Sequence, residues 1–294
     1  MKTKPIMPFL LSCLLAACAV NPVTERPQLM LLADEQVLAQ SYRAYAELLD
    51  EAAYRRALNV DPDMVARVRE AGSRLIPQAI GYRPEIAGWR WEVNVFESDI
   101  PGAFCLAGGK IAVNSGLLVR LRLTDDELAQ VIGHEIAHAL SEHNREKRST
   151  AIASGAAARA LVFARQLNNV VSTLLKDAAR IGIDLPNSRQ AEMEADRVGT
   201  LIAAKAGYDP RAAVLFWEKV RARHGEPSSA LLSTHPLPSE RIAGLREEAV
   251  RVFPIYAERQ PLRLGNTMPR FEFAVDAGAN GVESASRDKA NVVD

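Results

Sequence analysis

The sequence has no surplus of charge of either sign: 36 Lys and Arg balance 36 Asp and Glu over 294 residues. It therefore lacks the basic field that attracts nucleic acid, and it carries no acidic block of the kind that forms a solvating tail. Cysteine is scarce, at three residues, so no disulfide framework is in prospect. With 48% hydrophobic residues, a chain of this length can build a core without staples. Internal repeats are missing, and alternation of apolar and polar residues is confined to one region. What remains to be read is local chemistry.

At the N-terminus, Lys2 and Lys4 precede an apolar run from Ile6 to Ala17. The run is too short to cross a bilayer but suits a secretory signal segment over residues 1–17. It ends in Leu15-Ala16-Ala17-Cys18, which resembles the lipobox of bacterial lipoproteins, where cleavage occurs before a Cys that is then acylated. Leu10-Leu11-Ser12-Cys13 fits the same pattern but leaves a shorter apolar stretch, so Cys18 is the expected lipidation site. Cys105 is then the one free thiol of the processed chain, with no partner for an internal disulfide. It reads as a small buried hydrophobe, since nothing nearby in sequence stabilises a thiolate.

Helical spacing of Val37, Leu38, Tyr42, Tyr45, Leu48 and Leu49 predicts a helix between Ala33 and Leu58. Asp61-Pro62 restarts the pattern toward Ile80. Trp89, Trp91, Val93 and Val95 then alternate with polar residues, as in a half-buried strand, and Gly108-Gly109 turns the chain into a second strand at Lys110 to Asn114. Thr124 with Glu127 forms a capping box that opens a helix through His138. The Ala-rich stretch over 150–181 reads as packed helices; a membrane span is the weaker reading, because Arg159 and Arg165 interrupt it. Further helices are expected from Ser188 or Asn187 to about Ala206, from Pro210 to His224, and from Pro238 to Val252. The fold class is thus α+β, mainly α-helical, with a small sheet. One domain spans 18–275, with N-terminal helices over 33–80 and a core over 89–252. The polar tail over 276–294 lacks the apolar residues needed to pack.

Chemistry concentrates on His134-Glu135-Ile136-Ala137-His138. On a helix, two His four residues apart share a face and can reach one metal ion, and Glu135 between them is placed to act as general base on an attacking water. Zinc, one ion per chain, is the expected cofactor. Chance can also put two His and a Glu on an amphipathic helix, so a third ligand is needed. Glu192, Glu194 and Asp196 supply candidates: Glu192 and Asp196 share a face, so one can bind metal while the other hydrogen-bonds a ligating His, whereas Glu194 is rotated away. A solvated acidic face has the same spacing. His143 falls off the metal face and reads as a surface residue; His224 suits a helix C-terminus.

The motif followed by Ser188-Arg-Gln-Ala-Glu-Met-Glu-Ala-Asp-Arg-Val-Gly199 resembles the gluzincin peptidases that include the CAAX prenyl proteases and the HtpX membrane peptidase, and most closely the soluble periplasmic members of the LoiP and BepA type. The resemblance spans about Ile100 to Gly244. It implies that Glu192 is the third zinc ligand beside His134 and His138, and that Asp196 orients the site. It also implies a strand-turn-strand region over Gly102 to Leu118 whose edge takes an extended substrate, with Ala112, Val113 and Asn114 as candidates. Gly102 and Ala107 stand where relatives commonly have Asn and Pro. Ser233-Thr-His-Pro-Leu-Pro-Ser-Glu-Arg241 resembles the family's His-Pro loop. His235 can assist catalysis at the oxyanion or occupy the metal's open position as a latch, and Arg241 can bind substrate or brace the loop.

On this resemblance the chain is a zinc endopeptidase acting on misfolded or unassembled proteins of the bacterial envelope. It is lipid-anchored, with the outer membrane favoured by Ala19 after the acylated Cys, and it faces the periplasm. The competing expectation is a chaperone-like binding protein with a latched or structural zinc site. A helical-repeat scaffold is weaker still.

Overall fold

The computed structural model describes residues 18–153, 188–223, 229–236 and 239–273. The expected signal segment over 1–17, most of the Ala-rich stretch over 150–181, His224 and the tail over 276–294 lie outside the described residues. The architecture is α+β and mainly helical, with two small sheets. No helix among the described residues is long and apolar enough to cross a membrane.

The chain opens with an antiparallel hairpin that sequence reading did not anticipate, β1 (Cys18–Val20) and β2 (Pro27–Leu29). Its turn is nucleated by Asn21, whose side-chain oxygen accepts from the backbone N–H groups of Val23 and Thr24 at 2.8 and 2.9 Å. Two helices follow, α1 (Asp34–Tyr54) and α2 (Pro62–Tyr82). Asp61 caps the second by accepting from Asp63 and Met64 N–H, and Pro62 sits in the first turn, where its missing donor costs nothing.

The main sheet holds β3 (Glu92–Phe96), β4 (Ala103–Leu106) and β5 (Lys110–Asn114) in the order β3–β5–β4. Gly108 and Gly109 both take positive φ, +87° and +77°, which makes the tight β4–β5 turn possible. β5 is parallel to β3 and antiparallel to β4, so both of its sides are paired. This corrects the expectation for Ala112, Val113 and Asn114. They lie on the central strand, and their backbone groups face the two neighbouring strands. The two outer strands are β3, which exchanges backbone hydrogen bonds with Ala57 and Asn59, and β4, which packs against the helix carrying His134 and His138.

That helix, α4 (Asp125–Leu140), begins with the expected capping box: Glu127 N–H donates to Thr124 Oγ1 at 3.2 Å, and Thr124 N–H donates to the Glu127 carboxylate at 2.8 Å. Every residue from Glu127 to Leu140 is buried, so α4 is the central rod of the domain. After α3 (Ser115–Leu121) and α4 come α5 (His143–Ala153), α6 (Arg189–Lys205), α7 (Ala212–Ala222), α8 (Ser229–Thr234) and α9 (Ser239–Leu264). α9 runs beyond Val252, through Pro254 and Pro261. Arg263 near its end bonds Asp126 at 3.0 Å and lies over the Tyr208 ring, contacts that hold the distal turns against the domain.

The tightest helix contact sets α4 against α6. A Cβ on Gly199 would lie 2.7 Å from the His134 backbone nitrogen, and one on Gly133 would lie 2.9 Å from the Gly199 carbonyl oxygen. The obstructing atoms are backbone, so no rotamer change relieves the clash. Gly199→Ala gains about 1 kcal/mol in helix propensity, and overpacking typically costs about 1–3 kcal/mol. Net destabilisation is expected in urea unfolding, together with weaker metal binding, because Glu192 and Asp196 ride on the displaced helix. Unchanged stability and affinity would show that the two helices can part without cost.

Candidate metal centre

The close approach at Gly133 and Gly199 brings the His pair of α4 against the acids of α6. His134, His138, Glu192 and His235 each offer a ligand atom, and these atoms all lie within 4.8 Å of one another in buried surroundings. The Nε2 atoms of His134 and His138 are 3.0 Å apart, and the Glu192 carboxylate lies 3.4 and 3.3 Å from them. On its other side, His134 turns Nδ1 toward Asp196 Oδ1 at 3.0 Å, which leaves Nε2 directed at the shared centre. The structure thus brings together the three residues expected as ligands and the carboxylate expected to orient one of them.

Electrostatics fit a dication. Glu135, Glu192 and Asp196 are buried carboxylates, and Arg241 is the guanidinium among them. Three carboxylates face one guanidinium, and the excess of buried negative charge requires a further cationic partner. Burial pushes Glu192 toward the neutral acid, but His235 and His138 outweigh it and hold the carboxyl well below the usual range. His134 shows the converse: burial disfavours its proton, yet Asp196 and Glu192 raise it to about 9. A site that retains a proton on a buried imidazole in this way is built to retain a cation, and imidazole with carboxylate is a donor set that suits zinc.

Glu135 stands outside the ligand set, with one carboxylate oxygen 3.5 Å from His235 Nε2. Burial raises its pKa, partly offset by His235 and His134. A carboxylate so raised is a better proton acceptor than an exposed one. Beside it, Val131, Ala213, Phe216, Leu231 and Leu245 line an apolar cavity bounded by His134 and His235.

Of the two expectations for Arg241, substrate binding or a brace, its contacts are those of a brace. It is 1% exposed, bonds Glu192 at 2.5 Å and Asp196 at 2.5 and 2.8 Å, and donates to the Pro236 carbonyl at 3.2 Å. Its planar face lies 4.1 Å from the centre of the Trp217 ring. Trp217 escaped sequence reading; within α7 it has the pattern of any core aromatic. His143 is also corrected: at 2% exposed it is buried, with Nδ1 2.9 Å from His138 Nδ1 and Nε2 3.0 Å from Glu194. Cys105 on β4, expected as a small buried hydrophobe, is half-buried, and burial, with Glu135 nearby, pushes its pKa well above the ordinary value.

Residues 62–249 match the sequence profile of Peptidase family M48. The chain belongs to peptidase family M48. The M48 match covers both helices of the candidate metal centre and the His235 loop. Among curated relatives, mitochondrial metalloendopeptidase OMA1 of Arabidopsis thaliana is 38% identical over 188 residues, 61% of this chain and 36% of that protein. Human metalloendopeptidase OMA1, mitochondrial, is 30% identical over 285 residues, covering 93% of this chain and 53% of the relative. The beta-barrel assembly-enhancing protease of Escherichia coli is 27% identical over 208 residues, or 67% and 41%. The chain spans about half or less of the length of these relatives.

Proposed function

We propose that this M48 chain is a zinc-dependent endopeptidase that cleaves misfolded or unassembled envelope proteins. The observation that carries the reading is the buried constellation of His134, His138 and Glu192, with Glu135 beside it and outside it. One zinc ion per chain would be held by those three residues, and when bound it supplies Lewis acidity that brings the pKa of water toward about 7 and polarises a carbonyl. Glu135 accepts the proton of the attacking water and returns it to the leaving amine. Asp196 fixes the His134 ring, and Arg241 holds Asp196 and Glu192 together.

An extended polypeptide can reach this site by pairing with β4, whose open edge runs beside α4. Unfolded segments offer the unpaired backbone such an edge requires; folded proteins do not. The lipobox-like segment supports anchoring through Cys18 at the periplasmic face of the outer membrane. The name of the Escherichia coli relative, which refers to β-barrel assembly, agrees with an envelope substrate.

The test is cleavage of casein by the purified chain, with metal content measured in parallel. Activity is expected with one zinc per chain, to be lost on chelation and restored by zinc. A chain that binds zinc but cleaves nothing points instead to the chaperone-like reading.

His235 supports a latched form of the same enzyme. Its Nδ1 lies 3.1 Å from Glu192 and 3.4 Å from His134 Nε2, inside the ligand set, where an incoming carbonyl would need room. His235→Ala is therefore expected to raise casein cleavage several-fold, with the larger gain in kcat/KM. A loss of kcat instead assigns His235 to the oxyanion.

A further inference from the structure

We propose that the N-terminal hairpin is wired into the metal centre through a chain of buried and half-buried hydrogen bonds, and that His143, Glu194 and Arg26 act as positioning residues for the ligand His138. The proposal rests on the reading of His138 as a zinc ligand. His138 directs Nε2 at the shared centre, so its proton sits on Nδ1 and is donated to His143 Nδ1 at 2.9 Å. His143 must then carry its own proton on Nε2, which it donates to Glu194 Oε2 at 3.0 Å. Arg26, in the β1–β2 hairpin, donates through Nε to Glu194 Oε1 at 2.7 Å.

Each link fixes the next. With Glu194 as an ionised acceptor, one tautomer of His143 is favoured, and that tautomer presents a lone pair to His138, which keeps the His138 Nε2 lone pair aimed at the metal. Glu194 is engaged through both oxygens, one facing His143 Nε2 and the other accepting from Arg26 Nε, so its place as acceptor is fixed by geometry. Arg26 is itself clamped, with two bonds of 2.7 Å to Glu146. The hairpin is pinned beside it: Asn21 and Gln28 both donate to the Ser141 carbonyl, at 3.1 and 3.0 Å, and Gln28 also reaches Glu146. Ser141 follows the last residue of α4, so the segment grips the catalytic helix at its C-terminal end. None of these residues touches the centre itself, which is why a ligand-spacing argument passes over them.

The experiment measures the zinc dissociation constant of the full-length chain by competition with a chromogenic chelator, for wild type, His143→Phe, Arg26→Met and the double variant. His143→Phe is expected to weaken zinc by about 10–100-fold, the usual cost of removing such a partner. Arg26→Met should weaken it less, and its effect should vanish in the His143→Phe background, because Arg26 acts only through that ring. The relay is overturned if His143→Phe binds zinc within twofold of wild type, or if Arg26→Met has the same effect in both backgrounds. Should His143→Phe fail to fold by circular dichroism, Arg26→Met and Glu194→Gln form the same cycle: non-additive losses support the relay and additive ones overturn it. A wild-type chain that binds no zinc overturns the metal-centre reading instead, and so the two failures are distinguishable.

Discussion

Glu135→Gln is expected to lower kcat/KM for casein by about 10²–10⁴-fold, the range contributed by a positioned general base, while zinc content stays at the wild-type level. The two side chains are nearly isosteric, so the substitution removes a proton acceptor and little else. Glu135 is not among the four residues whose ligand atoms converge, and its carboxylate meets His235 only at 3.5 Å. A buried carboxylate with so distant a partner is costly to the fold. The amide should therefore leave thermal stability unchanged or raise it, which separates this variant from one that merely unfolds. Retained cleavage with retained zinc would sink the assignment of Glu135 as base. Lost zinc would mean that Glu135 serves the ligand set as well. Single-turnover kinetics on a fluorogenic peptide sharpens the test, because the loss should fall on the chemical step and leave KM close to wild type.

How far the sequence anticipates this site depends on how local each signal is. The His134–His138 pair, the Thr124 capping box and the start of α6 at Ser188 all arise within a few residues of chain, and the structure has each where spacing puts it. Strand order is another matter. Lys110 to Asn114 reads as a short strand after a Gly-Gly turn, and only the pairing of β3 from one side and β4 from the other makes it central. His143 misled for a related reason. Helical geometry correctly turns it off the metal face, but α4 ends at Leu140 and the chain reverses at Glu142, which takes positive φ, so the imidazole comes back beneath His138. Arg26 lies more than a hundred residues from each acid it joins, and nothing in its neighbourhood marks it. Glu194 was set aside because it points away from the metal. It does, toward His143 and Arg26.

Arg241→Met should be the most destabilising single change at the centre. The substitution keeps an apolar stem against Trp217 and removes the charge, leaving Glu192 and Asp196 buried without their shared cation. Removing one partner of a buried pair costs about 3–5 kcal/mol, and at roughly 2–4 °C per kcal/mol for a domain of this size the melting temperature should fall by about 10 °C. The loss should be larger in chelated protein than in zinc-loaded protein. A bound dication shares the charge of Glu192, whereas in chelated protein that carboxylate has only the surrounding imidazoles. Had Arg241 bound substrate, the variant would keep its stability and raise KM. A brace predicts the opposite: stability falls, most of all in the chelated protein, and KM for the surviving enzyme changes little. Melting within 2 °C of wild type, with and without zinc, would show that the histidines alone can carry both acids.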